Sequence, residues 1–206
     1  MNAFPRSADA TTPPAIVRVE RTRLAHPNGW WGIAVFVATE ATLFGTLVGS
    51  YFYLRFQSPH WPPPGVPAPK LTLPLVLTAV LVATSVPMQL AVRSAVRGRM
   101  STARLALAVA GVVQLGYLAM QLHLFTHDVH EFPPSESAYS SIYFTLLGAH
   151  HLHVAVGILL VLFVLLRTAT GLTEYRLTAV RATTFYWHFV NVLALVVVGT
   201  QLSAAA

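Results

Sequence analysis

Glu40 stands about ten residues into an apolar run, with Phe36, Val37, Leu43 and Phe44 around it. A carboxyl in such surroundings can relay a proton, or it can stay neutral and hydrogen-bond to a neighbouring segment. A second group is the run Gly148-Ala149-His150-His151-Leu152-His153. At helical spacing His150, His153 and Gly157 share one face, and His151 points elsewhere. Imidazoles three residues apart suit a metal or a haem iron, with His188 and His123 as the available further ligands. Equally, neutral imidazoles hydrogen-bond between helices, and Gly157 lets a neighbour come close. The third group, Phe185-Tyr186-Trp187-His188-Phe189-Val190-Asn191, sets His188 and Asn191 three residues apart. Cysteine is absent, which excludes disulfides, thiolate-held metals, iron–sulfur clusters and covalent c-type haem.

The segments that must position these residues are apolar and long. Of the 206 residues 55% are hydrophobic and 10% charged, with a mean hydropathy of +0.61. A soluble domain carries about 25% charged residues, so this surface is too poor in charge for water. Crossing a bilayer takes about 20 apolar residues in a helix. Five stretches meet that length, at about 30–56, 71–92, 103–125, 139–166 and 182–202. The expected fold is an all-α integral membrane protein, a bundle of five transmembrane helices over 29–206, preceded by a mobile cytoplasmic tail at 1–28 that is not a signal peptide. Pro74 falls in a first turn, where it is tolerated; Pro87 lies deeper and should kink its span. Gly45 and Gly49 have the spacing that favours close helix packing. Glu40 falls within the first span, where an unpaired acid costs about 2.5–3.5 kcal/mol.

Charge gives the expected orientation. The tail (Arg6, Arg18, Arg21, Arg23) and two of the loops (Arg93, Arg97, Arg99, Arg104; Arg167, Arg176, Arg181) hold eleven of the thirteen Lys and Arg residues. Arg55 and Lys70 fall on the other side, with Asp128, Glu131 and Glu136. The positive-inside rule puts the N-terminus in the cytoplasm and the C-terminus outside. The net charge of +6 then reports topology and anionic-lipid contact, and calls for no nucleic acid. The loops leave no room for a soluble domain; the most distinctive holds His60-Trp61-Pro62-Pro63-Pro64-Gly65.

Four segments in order resemble subunit III of the haem-copper oxidases (the cytochrome c oxidase subunit III family) in its short, five-span form. Tyr139-Ser140-Ser141 followed by Thr145-Leu146-Leu147-Gly148-Ala149-His150-His151-Leu152-His153-Val154 and Gly157 is similar to the family's Tyr-Gly-Ser and Thr-Gly-aromatic-His-Gly-Leu-His-Val segments. Tyr186-Trp187-His188-Phe189-Val190-Asn191-Val192 resembles Tyr-Trp-His-Phe-Val-Asp-Val, Glu40 matches the membrane-embedded glutamate, and Trp61-Pro62-Pro63-Pro64-Gly65 matches Trp-Pro-Pro-x-Gly. The resemblance runs from about residue 29 to 202. Asn191 departs from the family aspartate, His151 from a glycine, Leu147 from a threonine, and Arg181 from an acidic residue. Leu124 and Phe125 stand where Glu and Tyr would follow Gln121.

The resemblance implies a multi-pass subunit of the bacterial cell (inner) membrane with no haem or copper of its own and no catalytic residue. It implies packing beside the oxidase catalytic subunit, with an electron-entry subunit in the same complex; haem and copper belong to these partner subunits. It further implies bound phospholipid in a cleft and support of proton uptake and sustained turnover of oxygen reduction. Glu40, His150, His153, His188 and Asn191 would form the lipid-binding or buried polar network. Arg167 matches an arginine that meets a lipid headgroup, a role suited to a guanidinium, although snorkelling at a helix end is the plain alternative. Other readings are the equivalent subunit of a quinol oxidase or nitric oxide reductase, a stand-alone haem-binding membrane protein using His150, His153 or His188, and a small transporter with Glu40 as coupling carboxylate.

Overall fold

The computed structural model describes residues 28–66, 71–168 and 174–205, and among them every regular element is an α-helix. In chain order these are α1 (Asn28–Gln57), α2 (Thr72–Ala83), α3 (Ser85–Val96), α4 (Met100–Glu131), α5 (Ala138–Thr168) and α6 (Glu174–Ala205). Of the tail expected at 1–28, residues 1–27 lie outside the described residues, as does Lys70, and Asn28 is the first residue of α1. α2 and α3 together make one span, so five helical segments are long and apolar enough to cross a membrane. Helices follow because lipid offers backbone amides no partner, and each must bond within its own segment.

The helices outrun the apolar stretches that announce them. α4 has 32 residues and, at 1.5 Å per residue, is about 48 Å long against a hydrocarbon core of about 30 Å. Its last turns, with His127, Asp128 and Glu131, therefore pass beyond the apolar stretch into the polar boundary. Once nucleated, a helix continues until something stops it.

Pro87 does what its position predicts, but the break appears three residues earlier, at Thr84 between α2 and α3. A proline within a helix has no N–H for the carbonyl four residues back, and its ring crowds that carbonyl; here that residue is Ala83. Thr84 closes the broken turn with its own groups. Its N–H donates to Leu81 O at 3.0 Å and its hydroxyl to the same carbonyl at 2.6 Å.

Local signals set other helix ends. α3 stops at Gly98, whose φ of +73° suits a residue without Cβ. Gly98 N donates to Ala95 O at 3.0 Å and Arg99 N to Ser94 O at 2.9 Å, the paired bonds of a Schellman cap. α5 starts after Ser137, whose Oγ accepts from Ser140 N at 3.0 Å while Ser140 Oγ accepts from Ser137 N at 3.0 Å. That is a capping box with serine in place of the usual Glu or Gln.

α4 packs on α3 and α5, α6 packs on α5 and α3, α2 lies against α4 and α6, and α1 lies on α5 and α6. The main core gathers Leu81, Met88, Leu107, Val154, Val161 and Trp187. A second cluster around Phe44, Tyr51, Leu146 and Val197 attaches α1. In lipid, apolar burial drives helices together only weakly, so close fit and interhelical hydrogen bonds carry the association. Gly157 supplies close fit against Trp187, as its spacing predicts. Gly45 and Gly49 do not: a Cβ on either meets nothing within 4 Å.

Candidate functional site

α1 and α5 bring Glu40 and His153 together. Glu40 Oε2 lies 2.9 Å from His153 Nε2, with the side chains 20% and 11% exposed. The other ring nitrogen, Nδ1, is 2.7 Å from Ala149 O one turn back. A carbonyl only accepts, so Nδ1 carries a hydrogen and the tautomer is settled by the helix itself. At Nε2 a bonded pair then needs one more proton, held either by the carboxyl or by the ring. Both forms are neutral as a pair, which removes the cost of a bare carboxylate in lipid. Phe44 covers the imidazole edge-on at 5.2 Å, and Tyr186 on α6 donates its hydroxyl to His153 O at 3.0 Å. Three helices thus meet at one residue.

His150, three residues earlier, faces another neighbour. Its Nε2 lies 3.2 Å from Tyr117 Oη, and Gln121 Nε2 donates to the same oxygen at 3.3 Å. With Gln121 donating, the tyrosine hydrogen is directed to His150 Nε2, forming a short relay from α4 to α5. The predicted shared face therefore divides: α5 sits between α4 and α1, and a step of three residues turns one imidazole to each side. Each ring has a protein partner, and the two do not converge on a common ligand position. His151 is buried beside Phe125, their rings 5.6 Å apart, and neither ring nitrogen has a hydrogen-bond partner.

Asn191 is also engaged away from His188. Its Nδ2 donates to Ser85 Oγ at 2.7 Å, tying α6 to the helix break. Gln114 Nε2 reaches Thr84 Oγ1 at 3.4 Å on the other side of that break. His188 is half-buried and joins neither network. Arg167 is exposed at the end of α5, its guanidinium 5.9 Å from the Phe163 ring centre, remote in sequence and position from the Glu40 pair. Nearby, Arg104 bonds through its guanidinium to Thr168 O, a cation meeting orphan carbonyls at a helix C-terminus.

Some members of these networks had no place among the expected site residues. Gln114, Tyr117 and Gln121 recur at steps of three and four in α4, a periodic polar stripe within an apolar span, and that signal was readable. Tyr51 was not: it donates to Thr200 O at 2.7 Å and accepts from Trp61 Nε1 at 3.0 Å, across separations that carry no local pattern.

Residues 20–200 match the family described as cytochrome c oxidase subunit III. The chain belongs to that family. A probable cytochrome c oxidase subunit 3 of Nocardia farcinica is 33% identical over 165 residues, covering 79% of this chain and 81% of the relative. Subunit 3 of the cytochrome bo(3) ubiquinol oxidase of Pseudomonas aeruginosa is 32% identical, covering 82% and 83%. Cytochrome c oxidase subunit 3 of Bacillus subtilis is 28% identical, covering 84% and 85%. In a subunit III family member, which associates with catalytic oxidase subunits, the polar contacts above fasten one helix to another.

Proposed function

We propose that this chain is the accessory third subunit of a bacterial aerobic terminal oxidase, lying in the cell membrane with its N-terminus in the cytoplasm. It packs on the catalytic subunit in a complex that also holds the electron-entry subunit. Oxygen reduction, haem and copper belong to those partners, and this chain sustains their proton uptake and turnover. The observation that carries the reading is the Glu40–His153 pair, which joins α1 to α5 at 2.9 Å. A carboxyl placed in a membrane span and paired with an imidazole fits proton handling or the bracing of a lipid-lined face. Arg167, at the end of α5 toward the arginine-rich loops, offers a charged donor fork for a phospholipid headgroup.

Purification of the tagged chain in mild detergent, with a visible spectrum and mass identification of its companions, tests the assignment. Stoichiometric haem travelling with a large many-span subunit is the expected result. A colourless protein that purifies alone under several mild conditions would remove the accessory role. The Pseudomonas ubiquinol oxidase relative supports a second reading, in which quinol is the donor. An electron-entry companion with a pair of copper-binding cysteines would decide for cytochrome c.

A further inference from the structure

At the end of α4, away from the arginines near its start, the side chains of His127, Asp128 and Glu131 turn toward one another. His127 Nδ1 lies 3.7 Å from Asp128 Oδ1 and 3.7 Å from Glu131 Oε2. Both separations are longer than an N–H···O bond and within ion-pair reach. They are close to the spacing that ligands of one ion keep. With metal–ligand distances of about 2.0–2.2 Å, tetrahedral donors lie about 3.4 Å apart. One donor atom from each residue lies within 4.8 Å of the other two.

Two features beyond the cluster point to a ligand. Asp128 Oδ2 accepts from the Tyr143 hydroxyl of α5 at 3.0 Å, which leaves Oδ1 on the side of His127. A hydrogen bond of that kind orients a ligating carboxylate from outside the coordination sphere. The cluster also lines a cavity of about 240 Å³ together with His123, Gln121 and Gln201. Gln201 is only 5% exposed, and its Oε1 has no hydrogen-bond partner. An unpartnered, buried polar side chain therefore stands among the residues that line the cavity.

We propose that His127, Asp128 and Glu131 bind a single divalent transition-metal ion of the zinc class, with water completing the coordination. The donor set selects that class. An imidazole favours Zn²⁺, Cu²⁺ or Ni²⁺ over Mg²⁺ or Ca²⁺, which prefer oxygen alone. Three protein ligands leave an open position facing the cavity, the pattern of an accessible zinc site. The site is separate from the Glu40–His153 pair, and its test does not depend on the oxidase assignment.

The experiment is a Zn²⁺ titration by calorimetry of the full chain, tag removed, in lipid nanodiscs. One equivalent should bind, and His127→Ala should weaken that binding at least tenfold. Asp128→Asn and Glu131→Gln should each weaken it similarly, and Tyr143→Phe by less. His60→Ala, at an exposed histidine in the α1–α2 loop, should leave it unchanged. No saturable Zn²⁺ binding, or binding that the His127, Asp128 and Glu131 variants leave within twofold, overturns the proposal. Because His127 and Glu131 are exposed, their variants test binding without disturbing the core.

Discussion

Gly157 on α5 lies under the indole of Trp187 on α6, where a Cβ would stand 2.8 Å from Trp187 Cζ2 and 3.2 Å from Tyr186 Cε1. Trp187 is fully buried, so it has nowhere to retreat. The helices approach this closely because the glycine supplies no side chain, and dispersion contacts replace it.

Gly157→Ala should therefore destabilise the bundle by about 1–3 kcal/mol, the usual cost of overpacking a filled core. Gly45→Ala is the control, since its Cβ meets nothing within 4 Å and alanine favours a helix. Thermal unfolding in detergent reads both. Equal midpoints for the two variants would show that the α5–α6 contact yields without cost.

Glu40 admits a sharper comparison. In Glu40→Gln the amide can still donate to His153 Nε2, provided the ring keeps its hydrogen on Nδ1 toward Ala149 O. Glu40→Ala leaves Nε2 without a partner, a penalty of about 1–3 kcal/mol. The expected order of stability is wild type and Gln together, with Ala below. If Gln falls as far as Ala, the pair is held by charge, with the proton on the imidazole. Oxidase activity of the assembled complex should survive Glu40→Gln in part, because oxygen chemistry belongs to other subunits; complete loss with normal assembly would contradict an accessory role.

The Asn191–Ser85 contact bears on why the second span breaks where it does. Its donor fastens α6 to the first residue of α3 at 2.7 Å, immediately after the turn that Pro87 disrupts. A double-mutant cycle with Asn191→Ala and Ser85→Ala should give a coupling near 0.6 kcal/mol and below about 1.7, the range of membrane hydrogen bonds. Zero coupling would mean that the amide finds an equal partner elsewhere.

How far the sequence foretells all this depends on the range of each interaction. The five spans are legible because apolar length is a local property, and the Pro87 break because the proline acts on a residue four positions back. Glu40 is legible as a residue in need of a partner, and His153 is named, but their pairing is 113 residues apart and nothing local encodes it. The division of His150 from His153 is invisible for a related reason. Sequence spacing gives a helix face, whereas the positions of α1 and α4 around α5 decide which imidazole meets which neighbour. Tyr51 is hidden twice over, since its hydroxyl reaches Thr200 O and a tyrosine near a span end reads as an interfacial anchor.

Gly98 offers the last test, because there the argument rests on the backbone alone. Its φ is +73°, and a Cβ added to it meets nothing within 4 Å, so any effect of substitution is conformational and not steric crowding by neighbours. An L-residue in the left-handed region costs about 1–2 kcal/mol, and the two bonds that close α3, from Gly98 N and Arg99 N, depend on that conformation. Gly98→Ala should therefore lower stability by about 1 kcal/mol, with Gly98→Asn falling between, since asparagine tolerates the left-handed region better than alanine. Unfolding midpoints of the three proteins should rank Gly, Asn, Ala. A ranking with Ala at or above Gly would show that the α3–α4 turn has a second conformation of equal energy, one that needs no positive φ.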